Sequence, residues 1–258
     1  MSVDKVDQIY QSWAEDSKKV LQQIHGELNL PYGNESFQKI DYFSAGTNTP
    51  LVIYVHGGYW QARSKNDFTF IVPTFLAAGI SIALVGYRLA PSANMTQMVE
   101  DIHSSIDCLH TQFPAHQTIW LLGWSAGAHL ITMALDNPNV AGGTAVSGIY
   151  DLEPIRHIYV NELLGLDEKS AFDHSPLKLG FGQAKPLDLF VGGNELPEML
   201  WQTDAYYSYR KSKHQPGSYS ILPNTNHYSI FNPIIEAEGK IIQSIQDRLL
   251  RSKSTEFK

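Results

Sequence analysis

Cysteine is almost absent: the 258-residue chain has one, Cys108. No intramolecular disulfide can form, so the core must hold the fold, and a reducing, cytoplasmic setting is expected. Cys108 falls in the apolar-periodic stretch MVEDIHSSIDCLH and reads as packed rather than reactive. Positive charge is also short, with 19 Lys and Arg against 26 Asp and Glu, a net charge of -7. That balance argues against nucleic acid or an anionic membrane as a partner. Long apolar runs are missing too. The longest stretch, residues 71–85, is interrupted by Pro73, Gly79 and Ser81. It reads as a helix running into a strand, not as a membrane span. The first residues carry acids and no apolar centre, so they do not read as a secretory leader. Repeats and low-complexity tracts are lacking, and the 43% hydrophobic, 17% charged composition excludes a disordered chain.

What is present is an alternation of short apolar runs with helical patterns. Strands are expected at 51–56, 81–87, 118–124, 143–149, 187–193 and 218–224. Most are continuously apolar, as in strands covered on both faces of a parallel sheet. Residues 38–44 read as an added antiparallel edge strand. Helices are expected over 6–24, 67–78, 94–113, 126–137, 153–165, 197–212 and 232–252, with Gly79 and Gly165 as C-caps. The first of these is amphipathic and should pack on the outside. The pattern implies one α/β domain spanning 1–258: a mostly parallel, doubly wound sheet with helices on both faces. Residues 167–186 read as a long irregular connection of the kind that forms lids or substrate walls.

Sites in open α/β sheets form at the carboxyl ends of the strands. Three such ends carry chemistry. The first is GWSAG at 123–127, between TIWLLGW and AHLITMAL. Alone, G-x-S-x-G is weak, with ~0.1 chance matches per chain of this composition. Strand before and helix after are the context in which the serine stands exposed in a sharp turn, so Ser125 is the candidate nucleophile. The second is HGGYW at 56–60. Its Gly57 and Gly58 leave backbone N–H groups uncovered, and with the N–H of Ala126 they form a candidate oxyanion hole. Tyr59, Trp60 and Trp124 are candidate apolar walls for a flat substrate, core packing being the alternative for each.

The third end is the base and its acid. His227 follows the last expected strand, which is the position for a triad histidine. His129 should lie one turn along the helix after Ser125, and His56 should buttress the glycine loop. His103, His110, His116, His157, His174 and His214 read as surface residues. The acid is expected in VGGNELPEM, where Glu195 stands directly after the turn and Glu198 in the first helical turn. Glu195 is the choice, with Asp151 and Asp204 as weaker alternatives and Asp151 suited to a wall or cap. No metal or other cofactor is expected, since the histidines show no ligand spacing.

Together these blocks resemble the α/β-hydrolases, and more narrowly the kynurenine formamidases. HGGYWQ at 56–61, YRLAP at 87–91, GWSAGAHL at 123–130, SGIYDLEPI at 147–155 and VGGNELPEM at 191–199 occur in that family's order. The likeness runs from about Tyr32 to the C-terminus. HGG and YRLAP are shared with hormone-sensitive-lipase-like esterases; HGGYWQ with SGIYDLEPI is the more specific pair. The resemblance implies a triad of Ser125, Glu195 and His227, and cleavage of N-formyl-L-kynurenine to kynurenine and formate. Two positions depart from the family pattern. Trp124 stands where His is common, and Glu195 where Asp is common. A carboxylesterase acting on small acyl or aryl esters would use the same residues, and a non-catalytic binder would be expected to have lost one of them. The expected partner is a small-molecule substrate; a homodimer is compatible with the sequence.

Overall fold

The computed structural model describes residues 3–116, 118–179 and 185–255. Its centre is one eight-stranded sheet. The strands are β1 (Glu27–Pro31), β2 (Lys39–Phe43), β3 (Leu51–Val55), β4 (Ser81–Val85), β5 (Ile119–Trp124), β6 (Gly142–Val146), β7 (Leu187–Gly192) and β8 (Tyr219–Leu222). Their order is β1-β2-β4-β3-β5-β6-β7-β8. The β1–β2 and β2–β4 pairs are antiparallel, and every later pair is parallel. Every residue of β3, β4, β5 and β6 is buried, because helices cover both faces. Ile53, Val55 and Leu121 face a layer that includes the helices Met95–Gln112 and Ala126–Met133. Val52, Tyr54 and Leu122 face the opposite layer, which includes Lys240–Thr255 and part of the N-terminal helix Val3–Gln23. The period of two sorts the side chains between these layers.

The differences from expectation have local causes. The sheet edge is β1, so residues 38–44 form the second strand rather than the edge. β1 is short, mostly exposed and irregular in register, with Asn29 at φ 57, and it carries no alternation to read. Residues 67–78 split into a 3-10 turn, Lys65–Ile71, and a helix, Val72–Ala77, with Pro73 in its first turn, where a missing N–H costs nothing. The stretch 153–165 is likewise two short turns, Pro154–His157 and Asn161–Leu164, ended by Gly165 at φ 62. The stretch 232–252 breaks at Gly239, where a Cβ would lie 2.3 Å from the carbonyl oxygen of Pro233. Within 167–186 the chain forms two short helices, Glu168–Asp173 and Pro176–Leu179; residues 180–184 lie outside the described residues. His116 is a correction: it is buried, bonded to the Thr49 carbonyl at 2.6 Å and to the Tyr42 hydroxyl at 2.7 Å.

The antiparallel margin is tied down by a buried ion pair. Lys65 Nζ donates to Asp41 at 2.6 Å, and also to Asn29 at 3.0 Å and Asn66 at 2.9 Å. The other Asp41 oxygen accepts the Asn29 backbone N–H at 2.7 Å. Removing one member of such a pair strands the other charge, at a typical cost of about 3–5 kcal/mol. Lys65→Met should therefore lower the urea-unfolding free energy by about that amount. A loss of under ~1 kcal/mol would show that water reaches Asp41.

Two buried histidines make the fold acid-sensitive. His129 Nε2 faces the His174 carbonyl at 2.7 Å and must donate, so its Nδ1 accepts the Trp60 indole N–H at 3.2 Å. His56 is equally enclosed, its Nδ1 on the Gly57 carbonyl at 2.7 Å. Burial lowers both pKa values from 6.5 to about 4. Below pH 6.5 the unfolded chain takes up these protons while the folded chain does not until about pH 4. Stability should therefore fall as pH drops through that window. His129→Gln, which keeps both hydrogen-bonding roles without titrating, should show a shallower slope in urea midpoints over the same range; an identical slope would count against this account.

Candidate active site

Ser125 stands where β5 turns into the helix Ala126–Met133. Its backbone adopts φ 58 and ψ -121, a region that costs a non-glycine residue of order 1–3 kcal/mol. The turn is held by the Ser125 N–H on the Val146 carbonyl at 2.9 Å and by close packing. A Cβ on Gly127 would fall 2.0 Å from the Val55 carbonyl oxygen, so only glycine lets this helix start against the end of β3. Strain of this kind, kept by its surroundings, is a mark of a functional position.

His227 lies after β8 and reaches back across the sheet. Its Nε2 is 3.1 Å from Ser125 Oγ, and its Nδ1 is 2.7 Å from Glu195 Oε2. A carboxylate can only accept, so Nδ1 carries the proton and Nε2 is free to take the one from Ser125. Glu195 is fully enclosed, and its Oε1 accepts from Ser147 Oγ at 2.5 Å and from the Gly192 backbone N–H at 2.8 Å. Of the acids weighed against it, Glu198 accepts from Gln202, and Asp151 caps Glu153 and pairs with Lys178. Neither is bonded to His227. Three strand ends thus meet at one carboxylate: Ser147 after β6, Gly192 at the end of β7, and the loop after β8.

Comparison with known proteins gives the family and the fold. A family model described as BD-FAE matches residues 42–146. A kynurenine formamidase of Danio rerio is 33% identical over 242 residues, covering 87% of this chain and 81% of that protein. One of Salmo salar is 35% identical over 234 residues, covering 84% and 79%. The chain belongs to the kynurenine formamidase family. It is a hydrolase with the α/β-hydrolase fold; a crystal structure of a candidate thioesterase from Silicibacter superposes with a TM-score of 0.87 at 24% identity, covering 94% of each chain.

In this kynurenine formamidase relative, Ser125 and His227 open into a cavity of about 250 Å³, whose other walls include Gly58, Tyr59, Trp124, Leu196 and Met199. A second cavity of about 210 Å³ adjoins it through Tyr59, Leu196 and Met199, and is otherwise formed mainly by Ile149, Pro154, Ile155 and Ile158. Tyr59 lines both cavities. Trp60 is not: it is fully buried in the core, bonded to His129, and this corrects its reading as a substrate contact. The two neighbours part because both have positive φ, 51 and 60, which turns the chain sharply. Trp124 is 1% exposed; its indole N–H holds the His227 carbonyl at 3.0 Å and its ring lies 4.9 Å from the imidazole, so it supports the histidine more than it meets solvent.

In the expected oxyanion loop, Gly58, at φ 121, and Tyr59 line the cavity, and Gly57 packs close to Trp124 and Ser125, where a Cβ would be 2.7 Å from the Trp124 ring. Among the described residues, the N–H groups of Gly57, Gly58, Tyr59 and Ala126 have no acceptor. His56 backs this loop, stacked on Tyr87 at 4.5 Å. Sequence reasoning missed Ser147, Tyr10 and Tyr228. Ser147 was signalled only by ending a strand, and Tyr228 only by following His227. Among the described residues, no group of three His, Cys, Asp or Glu side chains is placed to hold a metal, and no helix is long and apolar enough to cross a membrane.

The carboxylate clasp is testable. Glu195→Gln replaces an acceptor by a donor facing Nδ1 and should cut kcat about 10⁴-fold by favouring the wrong tautomer. Ser147→Ala removes a hydrogen bond to a charged group, worth about 1.5–3 kcal/mol, so kcat should fall about 10–100-fold with KM little changed. Equal activity of S147A and the parent enzyme would show that the Gly192 N–H alone positions the acid.

Proposed function

We propose that this enzyme hydrolyses N-formyl-L-kynurenine to kynurenine and formate through a Ser125–His227–Glu195 triad. The observation that carries the reading is the Ser125–His227 contact at the wall of a cavity divided by Tyr59, in a chain 33–35% identical to proteins of that activity. Ser125 Oγ attacks the formyl carbon as its proton passes to His227 Nε2. The carbonyl oxygen becomes an oxyanion facing the N–H groups of the loop Gly57, Gly58 and Tyr59 and that of Ala126. The C–N bond then breaks, and the aniline nitrogen leaves with the proton from His227. Water, deprotonated by the same nitrogen, attacks the formyl ester, releasing formate and restoring Ser125. Glu195 holds the imidazole and stabilises its cationic form throughout.

The adjoining apolar cavity favours one second reading. About 210 Å³ lined by isoleucines could hold an acyl chain, as an esterase requires. The two readings differ in acyl preference. A formyl group needs no acyl chamber, so the second cavity would then take part of the leaving group. On one common aryl leaving group, kcat/KM should fall steeply from formyl to acetyl to butyryl. Formylkynurenine should also outperform plain formanilide, because its remote amino-acid end adds binding in the transition state. Ser125→Ala, expected to lose about 10⁴-fold or more, is the control for contaminating hydrolases. Faster turnover of butyryl than of formyl compounds would establish the esterase reading instead.

A further inference from the structure

One wall of the catalytic cavity takes no part in the chemistry just described. Val6 and Tyr10 of the N-terminal helix form it together with Tyr228. The two tyrosine rings meet edge to face at 5.7 Å, and the Tyr10 hydroxyl is hydrogen-bonded to Tyr228 and to Arg63. The Arg63 guanidinium carbon lies 3.3 Å from the centre of the Tyr10 ring, and its charge acts on both hydroxyls. Arg63 also borders the oxyanion loop: its Cγ is 3.1 Å from where a Cβ on Gly58 would stand. The backbone at Arg63 has φ 75.

Of the other arginines with described side chains, Arg210 is bonded to the Lys185 and Pro216 carbonyls. Arg88, Arg156 and Arg248 each hold a carboxylate, at 2.7, 2.6 and 2.6 Å. Arg63 makes no ion pair among the described residues. Asp7, exposed on the N-terminal helix, is the acid that acts on Tyr228, yet it forms no ion pair with Arg63. A half-buried guanidinium with no anion, beside two hydroxyls on the wall of a reaction cavity, is matched in charge and hydrogen-bonding type to a carboxylate.

We propose that Arg63, Tyr10 and Tyr228 form a subsite for the carboxylate of an anionic aryl substrate. The Tyr228 hydroxyl donates to the carboxylate, the Tyr10 hydroxyl orients it by donating to Tyr228, and Arg63 supplies the charge. The inference deepens the formamidase reading and rests on it for the leaving group, whose amino-acid chain carries such a carboxylate. An acyl-chain esterase acting on neutral esters would have no use for it.

The test compares substrates that differ only in that charge. Two pairs are used: formanilides bearing an ortho propanoate or propanamide chain, and the corresponding phenyl acetates. The quantity read is the ratio of kcat/KM for the carboxylate over the carboxamide. The parent enzyme should prefer the carboxylate. Arg63→Gln should lower the ratio about tenfold or more, mainly through KM, because the charge that attracts the carboxylate is lost. Arg63→Lys should recover part of it, and Tyr10→Phe and Tyr228→Phe should each lower it less. No carboxylate preference in the parent enzyme overturns the proposal without any variant. So does a ratio unchanged in R63Q, Y10F and Y228F, which would leave these residues a structural role. The acetate pair keeps the two readings apart: turnover of acetates with none of formanilides defeats the formamidase reading, while the acetate ratio still decides the subsite.

Discussion

The nucleophile turn can exist only because the helix Ala126–Met133 begins almost in contact with the end of β3. At Gly127 the space left for a Cβ is occupied by the Val55 and His56 carbonyls. This approach puts the helix N-terminus, and the N–H of Ala126, beside the glycine loop that follows β3. It also fixes the separation between Ser125 and Gly57, where a Cβ on Gly57 would lie 2.9 Å from Ser125 Cβ. Nucleophile and oxyanion loop are thus one packed unit. Central strands buried on both faces hold that unit rigid, which is what electrostatic stabilisation of a transition state requires.

The acid is arranged differently. Glu195 is placed by three hydrogen bonds from three strand ends, not by backbone crowding. An aspartate here would be shorter by one methylene, roughly 1.5 Å, and would have to give up either His227 or the pair of donors on its other oxygen. The longer acid therefore belongs with its neighbours. Ser147, fully buried and at φ 52, exists in that conformation to offer its hydroxyl to Glu195.

The sheet from β2 to β8 was legible because buried parallel strands must be continuously apolar, and runs such as LVIYV and SIALV admit little else. Ser125 and His227 were legible for a related reason: strand ends are few, and the chemistry needs particular residue types there. Glu195 required choosing among nearby acids, and its place directly after the turn was enough. What could not be read depended on where separate segments meet. Trp60 and Tyr59 are adjacent in sequence, yet two successive positive φ values send one into the core and the other to the cavity. β1 has no pattern because most of its side chains face solvent. The role of the N-terminal helix was hidden because an amphipathic period shows that a face is buried, not what it is buried against.

That face proves to be the outer wall of the site. Trp13 packs on Trp124, Phe68, Phe70 and Phe231, with ring centres 4.6 to 5.9 Å away. Trp124 in turn holds the loop of His227 through its indole N–H. A histidine at position 124 would fill less of the space between the N-terminal helix and β5, and the apolar contacts with Trp13 would be lost. The large residue beside the nucleophile is thus matched to the helix that covers it. Through this contact the beginning of the chain is packed onto the same framework that orients the base, and Tyr10, one turn before Trp13, is carried to the cavity with it. The cavity wall and the histidine loop are joined by a single aromatic layer, so the wall formed by Tyr10 is placed by the same packing as His227.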